Sequence, residues 1–395
     1  MYKNLERAIG RTWVEIDLDN LAHNAKLVRE KTSKSAEVMG IVKADAYGHG
    51  ALECAKVLLN NGITRLGVSM LDEAIQLRNS GITAPILILS DIEFERCDEL
   101  ILNNITAAVF TKEYAERLSK CAVMYNRKVK IHIKIDTGMG RVGFNPENDI
   151  ETIKYIAKLP FVEIEGVFSH FAVSDEDNEA YTASQFERFC SLIEKLKANG
   201  ISVQIKHISN SAAILRYPHM HLDMVRAGII LYGLHPSSIT KTLGIELKPV
   251  MTLKSRITLI KTLTEESKIS YGCTYTAKAG DKVATIPIGY ADGFQRRLGN
   301  KAQICINGQR ANIIGRICMD QCLADVTQIV KVSSGDVAII FGGNSTCDYE
   351  QNISCDEISE LSETINYETV CLIGKRVPRV YLENGQYTGV TNGLI

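Results

Sequence analysis

Eight short apolar runs, each followed by a longer amphipathic run, fill the chain between about residues 36 and 235. The strand candidates are 38–43, 66–70, 85–90, 107–110, 128–136, 162–170, 203–209 and 222–228. Between them, 51–62 and 184–200 have the apolar spacing of one helix face, and each ends at a glycine. Because parallel strands need crossover connections, this alternation predicts an α/β fold, a closed (β/α)8 TIM-type barrel. An open doubly wound sheet stays an alternative, although no GxGxxG motif opens a helix.

The pattern changes after about residue 240. Period-two alternation over 249–263, 282–290 and 336–343 predicts strands, and 354–365 predicts a helix among them. The early stretch 11–18 is also strand-like, and we expect it to join this second region.

A chain of 395 residues is long enough for two cores. The predicted domains are a barrel over 19–240 and a mostly β C-terminal domain over 241–395, to which the strand at 11–18 belongs.

Composition narrows the class of protein. A charged content of 23% with a net charge of -1 does not favour nucleic acid as a partner. We expect a cytosolic protein without a membrane segment, because the N-terminus has no apolar core and no stretch approaches about 18 apolar residues. The eleven cysteines lack CxxC or zinc-type spacing, which predicts reduced thiols and no metal site.

Polar side chains stand where several predicted strands end, at the edge where barrels build their active sites. They are Lys43, His170, the triplet Ser209-Asn210-Ser211, and Arg226 with Gly228. Taken singly, each could be a solvated strand end or a loop group. Together, a lysine, an imidazole, a hydroxyl and an arginine would meet in one cavity if the barrel is correct.

Ser211 starts a predicted helix, and helix N-termini favour anions such as phosphate. Barrels often bind phosphate in the loops after their seventh and eighth strands, which are the strands that end near Ser209 and Arg226. A serine that only caps the helix explains this stretch equally well. A strand-end lysine, a phosphate site and a ring that can pack on a heterocycle together suggest pyridoxal phosphate held as a Schiff base.

Nine motifs extend this interpretation over nearly the whole chain. They are VKADAYGHG, KIDTGMGRVGF, SHFAVSDE, ISNSAA, DMVRAGIILYG, ISYGCTYTA, PIGYADG, CMDQ and TINYE. In this order they resemble the motifs of the alanine racemases. The resemblance implies a barrel that binds pyridoxal phosphate, a following β-domain, and a head-to-tail homodimer with shared active sites. It also implies interconversion of L- and D-alanine, which supplies or uses D-alanine for cell-wall metabolism.

The resemblance also implies roles for individual residues. The cofactor-binding residues would be Lys43, Tyr47, His170, Asn210, Ser211, Arg226, Gly228, Ile229 and Tyr367. Arg226 would face the pyridine nitrogen, where a cation weakens the ring as an electron sink and favours proton exchange over transamination. Arg141, Met319 and Tyr290 would meet the substrate.

Racemisation requires two acid/base groups on opposite faces of the α-carbon. One would be Lys43, and the resemblance places the second at Tyr271, which reaches across from the partner subunit. Because a tyrosine has a reference pKa of about 10, nearby positive groups would have to favour its ionised form.

Residues 128–136 alternate, with Ile131, Ile133 and Ile135 on one face and a polar row on the other. If the polar row faces the barrel interior, Lys134 is buried near Arg141. Burial lowers the pKa of a lysine, and a neutral amine can form a carbamate with carbon dioxide. Many alanine racemases carry such a carbamate, so we expect one at Lys134 to hold Arg141.

Three other functions stay open. A serine or broader-specificity racemase is the closest, because one additional hydroxyl is hard to reject. A non-catalytic pyridoxal phosphate-binding protein would not need residues 241–395. An amino-acid decarboxylase of barrel-plus-β-domain type should have a glycine-rich phosphate loop, and no GGG run is present.

Overall fold

The computed structural model describes residues 9–342 and 351–394. The chain divides into two compact units. The barrel unit comprises Ala22–Ala46 and Ala51–Lys248. The β-rich unit comprises, among the described residues, 9–21, 47–50, 249–342 and 351–394.

Eight parallel strands form the barrel unit, which confirms the predicted fold class. They are β2 (Glu37–Ile41), β3 (Arg65–Val68), β4 (Ile86–Ile88), β5 (Thr106–Val109), β6 (Val129–Lys134), β7 (Val162–Phe168), β8 (Ile205–His207) and β9 (Met224–Ala227). Each strand from β2 to β7 pairs with the next along the chain, β2 also pairs with β9, and β8 and β9 are the two ends of this order. Between β8 and β9, the backbone N–H of Arg226 donates to Ser209 O (3.0 Å). This bond links the two end strands, so the sheet closes on itself.

Helices alternate with these strands along the chain. Their apolar residues are spaced so that one face of the helix is buried against the sheet. The right-handed helices are α1 (Leu18–Lys31), α2 (Ala51–Leu59), α3 (Leu71–Asn79), α4 (Cys97–Leu102), α5 (Lys112–Met124), α6 (Ile150–Ile156), α7 (Glu179–Ala198), α8 (Ser211–Arg216) and α9 (Ser238–Lys241). The further helical segment Lys43–Gly48 has positive φ from Ala44 to Gly48. Cys54, Ala55 and Leu58 of α2, for example, are fully buried. All four residues of β9 are buried, including Arg226, so this arginine lies within a strand and not at its end as the sequence suggested.

A ten-stranded sheet organises the β-rich unit. Its strands are β1 (Thr12–Asp17), β10 (Met251–Arg256), β11 (Leu259–Thr262), β14 (Lys282–Ile286), β15 (Gln303–Ile306), β16 (Gln309–Ile313), β17 (Cys322–Asp325), β18 (Val337–Phe341), β19 (Arg379–Glu383) and β20 (Gln386–Thr391). β1 lies between β10, to which it is antiparallel, and β19, to which it is parallel. A separate hairpin consists of β12 (Ser267–Ile269) and β13 (Tyr275–Ala277). Residue 343, the last of the predicted stretch 336–343, lies outside the described residues.

The helix predicted over 354–365 is present but shorter, as α10 (Cys355–Leu361), and a second helix, α11 (Asn366–Cys371), begins just after the predicted range. Between them Glu363 has φ +56°, which a continuous right-handed helix cannot contain. The residues that the structure describes also form six 3-10 turns: Phe94–Arg96, Pro218–Met220, Ile229–Tyr232, Tyr271–Cys273, Tyr290–Asp292 and Arg296–Leu298.

The cysteines are mostly thiols. Nine of the described cysteines are free, but Cys305 is disulfide-bonded, which differs from the expectation that all of them are reduced. Cys347 lies outside the described residues.

Over residues 9–342 and 351–394, no helix is long and apolar enough to cross a membrane, and no three or more His, Cys, Asp or Glu side chains group as metal ligands. The cytosolic location stays a prediction.

Candidate active site

The backbone directly after β2 adopts the left-handed conformation, which is rare for L residues. Lys43 follows the strand by two residues, and the next four residues, Ala44–Tyr47, have φ of +52°, +54°, +54° and +53°. Left-handed backbone costs an L residue about 1–2 kcal/mol, and four such non-glycine residues in a row need support from their surroundings. Part of the support is local, because the Ala51 N–H donates to Asp45 Oδ1 (2.7 Å). Strained backbone beside a lysine at the active-site edge of a barrel indicates a functional segment.

Arg226 is buried within the barrel unit. It is 4% exposed and donates from Nη1 to His207 Nδ1 (2.9 Å) and from Nη2 to His170 Nδ1 (2.9 Å). Nη2 also contacts the carbonyl oxygens of Ser169 (2.8 Å) and Ile208 (3.0 Å). Within the described part of the chain, every recorded acceptor of Arg226 is therefore a neutral group. Burial, followed by the charge of Arg141, lowers the pKa of Arg226 to about 9.

A row of buried, hydrogen-bonded side chains continues from Arg226 and consists of His207, His132 and Glu165. His207 Nε2 lies 2.8 Å from His132 Nδ1, and His132 Nε2 lies 3.0 Å from Glu165 Oε2. Because Arg226 can only donate, His207 Nδ1 accepts, His207 Nε2–H donates to His132, and His132 Nε2–H donates to Glu165. A Cβ at residue 166 would lie 2.4 Å from His132 Nδ1, which explains the glycine there.

The charges in this row follow from its environment. Burial lowers the pKa of both His132 and His207, so each is neutral near pH 7. Burial alone would raise the pKa of Glu165, but hydrogen bonds from His132 and Lys130 and the charge of Arg65 lower it to about 2. The nearest anion to Arg226 in the row is therefore a carboxylate that is two imidazoles away.

His170 is the second imidazole on Arg226. Burial, followed by the positive charges of Arg226, Lys134, Arg141 and Lys43, places its pKa well below the ordinary value. It is thus neutral, and because Nδ1 accepts from Arg226, Nε2 carries the proton. Arg226, Lys134, Arg141 and Lys43 are thus the cations that act on His170.

Lys134 lies at the end of β6 and is 4% exposed. Its Nζ donates to Ile135 O (2.8 Å) and stands 5.4 Å from the centre of the Phe168 ring. Burial, and then the charge of Arg226, lower the pKa of Lys134 to about 7. A substantial fraction of this amine is therefore neutral at physiological pH. The Arg141 side chain, in contrast, is exposed.

A pocket of N–H and O–H donors follows β8 and β9. Ser211 is 5% exposed, and its Oγ accepts from the Gly228 N–H (2.9 Å), which leaves the hydroxyl hydrogen to donate. Asn210 caps α8, since its Oδ1 accepts from the Ala213 N–H (3.1 Å). Gly228 precedes the 3-10 turn Ile229–Tyr232, and the first N–H groups of a helical turn have no acceptor within the turn itself. Hydroxyl and N–H donors in this arrangement fit a phosphate.

Tyr47 and Tyr367 belong to the β-rich unit, where their ring centres are 6.2 Å apart. Burial, followed by the thiol of Cys371, raises the pKa of Tyr47, so its hydroxyl is a hydrogen-bond donor. Arg379 is 6% exposed and donates from Nε to Gly48 O (2.9 Å) and from Nη2 to Ile373 O (2.6 Å). This arginine joins the segment that carries Tyr47 to the end of α11.

Tyr271, Tyr290 and Met319 lie at the surface of the β-rich unit and are 68%, 42% and 52% exposed. Tyr271 occupies a tight turn, in which Ser270 has φ +61° and donates from Oγ to Arg316 O (2.5 Å). Three large, exposed side chains of this kind are available to a ligand or another protein chain.

The backbone around Met319 is held firmly. The N–H groups of Tyr290 and Ala291 donate to Cys318 O and Met319 O, both across 3.1 Å. A Cβ at residue 289 would lie 2.3 Å from Met319 O, so only glycine fits.

Arg376 links the segment that contains Tyr290 to the segment that contains Met319. Arg376 bonds to buried Asp292 through Nε (2.9 Å) and to Asp320 through Nη2 (2.6 Å). Asp292 in turn accepts from the Gly289 N–H (2.9 Å).

Sequence reasoning missed several residues of the site. Asp292 and Asp320 lie inside the quoted motifs PIGYADG and CMDQ, which could have indicated them. His132 was placed in the polar row of its strand, but its partners His207 and Glu165 were not identified. Arg376 has no local signal in the sequence.

The chain matches one family over almost its entire length. Residues 16–236 match the alanine racemase N-terminal domain, and residues 250–381 match the alanine racemase C-terminal domain. An alanine racemase of Methanococcus maripaludis is 47% identical over 371 residues, which cover 94% of this chain and 98% of that protein.

Solved structures agree with these matches. The structure of an alanine racemase from Clostridium difficile has a TM-score of 0.92 at 40% identity and covers 98% of this chain and 99% of that chain. The alanine racemase from Bacillus anthracis with bound L-Ala-P has a TM-score of 0.91 at 37% identity, over 97% of this chain and 98% of that chain.

Proposed function

Because the chain belongs to the alanine racemase family, we propose that it interconverts L- and D-alanine with pyridoxal phosphate as its cofactor. The observation that carries this proposal is Arg226, a buried cation whose recorded acceptors are all neutral. When bound, the cofactor supplies an electron sink next to the α-carbon, and a cation at its ring nitrogen makes that sink weak. A weak sink favours proton exchange at the α-carbon over transamination.

The proposed holding groups fit the cofactor chemically. Ser211 and the backbone at Gly228 and Ile229 would bind the phosphate, with the Gly228 N–H orienting the Ser211 hydroxyl and with Tyr47 and Tyr367 as further hydroxyl donors. Asn210 fixes the start of α8 below them. His170 would pack on the ring, and Lys43 would bond covalently to the cofactor.

Two proton carriers would act on opposite faces of the α-carbon. We assign one to Lys43 Nζ and the other to Tyr271 Oη. Arg141 and the Met319 N–H would orient the substrate carboxylate, with Tyr290 beside it. One base removes the α-proton of one enantiomer, and the other, in its protonated form, delivers a proton to the opposite face and so forms the other enantiomer.

A homodimer would complete each site. Tyr271, Tyr290 and Met319 are exposed in the single chain, which supports their use against a second copy. Mixing inactive Lys43→Ala with inactive Tyr271→Phe should restore activity through hybrid dimers that contain one intact site. No activity after proven subunit exchange would show that each site comes from one chain.

We further propose that Lys134 carries a carbamate. Its lowered pKa of about 7 supports this modification, because only the neutral amine reacts with carbon dioxide. The resulting anion would hold the Arg141 guanidinium by charge-assisted hydrogen bonds, in a region that is otherwise rich in positive charge.

Purified protein with pyridoxal phosphate should show a visible absorption band and should form D-alanine from L-alanine. L-Serine in a parallel assay tests the broader specificity. A visible band without turnover of either amino acid would indicate a binding protein and would contradict the proposal.

A further inference from the structure

The segment Ala44–Tyr47 needs an external support. Its four non-glycine residues all have φ between +52° and +54°, and conformations of this kind persist only where surrounding groups enforce them. The bonds of Ala46 N–H to Val42 O (2.9 Å) and of Ala51 N–H to Asp45 Oδ1 (2.7 Å) are local. They join the segment only to its flanking residues Val42 and Ala51, and neither bond reaches a neighbouring strand of the barrel unit.

Glu73 supplies a bond from outside the segment. Its Oε1 accepts from the Ala44 N–H across 2.6 Å, and this N–H belongs to the residue directly after Lys43. Its Oε2 accepts from the N–H groups of Ser69 (2.8 Å) and Met70 (3.1 Å). One carboxylate therefore joins the segment after β2 to the turn between β3 and α3.

The position of Glu73 makes this link rigid. It lies in the first turn of α3, and the turn that it caps follows β3, the strand that pairs with β2. Three N–H donors converge on it, and a carboxylate is the side-chain group that offers two oxygens without any hydrogen. A glutamine would direct an NH2 group at one of these donors.

We propose that Glu73 is a positioning residue for Lys43, which holds the left-handed segment so that the lysine amine meets the cofactor. The inference rests on the proposed role of Lys43 as the residue that bonds to pyridoxal phosphate. Without Glu73, the segment can relax toward ordinary backbone conformations. The barrel stays folded, but the amine loses its fixed direction.

The test compares Glu73→Gln with Glu99→Gln. Glu99 is the matched control because it occupies the same third position of helix α4, where it pairs with Arg96 (2.7 Å). Glu73→Asp is the second variant, since the shorter side chain keeps the charge but loses the reach to Ala44. All three variants are compared with the wild type as full-length protein.

The first readout is amide hydrogen exchange of residues 42–50. Loss of a charge-assisted hydrogen bond should speed exchange there about tenfold in both Glu73 variants. The second readout is borohydride reduction after incubation with pyridoxal phosphate, followed by mass analysis of the peptide that contains Lys43. Both Glu73 variants should label less, with a lower kcat and a nearly unchanged KM for alanine. Glu99→Gln should match the wild type throughout.

Wild-type exchange and wild-type labelling in Glu73→Gln would overturn the proposal. Unfolding of both Glu73 variants would also overturn it, because Glu73 would then act on overall stability. Failure of the wild type itself to label at Lys43 would contradict the proposed function instead. The exchange comparison at residues 42–50 would still decide whether Glu73 holds the segment.

Discussion

Arg226 donates from Nη1 to His207 Nδ1 across 2.9 Å, and this bond sets the direction of every hydrogen bond from there to Glu165. Since a guanidinium has no acceptor, each imidazole must accept on Nδ1 and donate from Nε2. Lys130 and Arg65 compensate the charge of Glu165 at the far end. The row thereby holds Arg226 in place without putting a carboxylate against it.

Glu165→Leu should lower the free energy of unfolding by about 3–5 kcal/mol, because it removes the buried partner of His132, Lys130 and Arg65. Urea denaturation of the purified protein measures the change. Glu163→Leu, two residues earlier on the same strand and partly exposed, is the control and should change stability by no more than about 0.5 kcal/mol. An equal loss of unfolding free energy in the two variants would show that the buried Glu165 carboxylate contributes no more to stability than a partly exposed one.

Glu165 should also contribute to acid sensitivity. Its folded pKa of about 2 lies below the value of about 4.3 that it has when unfolded. Its stabilising contribution is therefore complete above about pH 4.3 and is lost as the pH falls toward 2. Stability measured in urea at about pH 5 and about pH 3 should fall less in Glu165→Gln than in the wild type. A parallel fall in both proteins would contradict this assignment.

Lys134 should carry a carbamate in crystals that are grown without depletion of carbon dioxide. Electron density should extend beyond Nζ at Lys134, where burial lowers the pKa to about 7. Lys130 on the same strand is exposed, and it should show a plain amine. Clear density for an unmodified amine at Lys134 would count against the carbamate.

Arg376→Gln should weaken substrate binding more than turnover. It breaks the bonds to Asp292 and Asp320 that hold the loop around Met319. Loss of charge-assisted hydrogen bonds at this loop should raise KM for alanine about tenfold, with a smaller change in kcat. Arg310→Gln is the control, because Arg310 also binds a carboxylate of the β-rich unit, that of Glu357 (2.8 Å). If both variants raised KM equally, the loop around Met319 would not depend on Arg376.

Local patterns predicted the barrel strands well, because the spacing of apolar residues depends only on neighbours in sequence. Lys43, His170 and Ser211 were predicted as site residues for the same reason, since each closely follows a strand. The row from Arg226 to Glu165 depends instead on contacts such as that of His132 with His207, which are 75 residues apart. Such pairs need the closed barrel before they can be recognised.

The left-handed segment after Lys43 could not be predicted either. Alanine and tyrosine do not favour positive φ, and aspartate adopts it only as a single residue, so the sequence gives no signal for four such residues in a row. The conformation comes from bonds to distant groups, of which Glu73 is one. The helix predicted at 354–365 was too long for a different reason. The helical spacing of apolar residues continues past Leu361 and gives no sign of the positive φ at Glu363.

The two-base assignment is tested most directly by the exchange of the α-hydrogen in deuterium oxide. The wild type should incorporate deuterium at the α-carbon from either enantiomer and should bring both to equal amounts of L- and D-alanine. Tyr271→Phe retains Lys43 as its single base, so it should exchange the α-hydrogen of only one enantiomer and should not racemise at an appreciable rate. Wild-type racemisation by Tyr271→Phe in both directions would contradict the account.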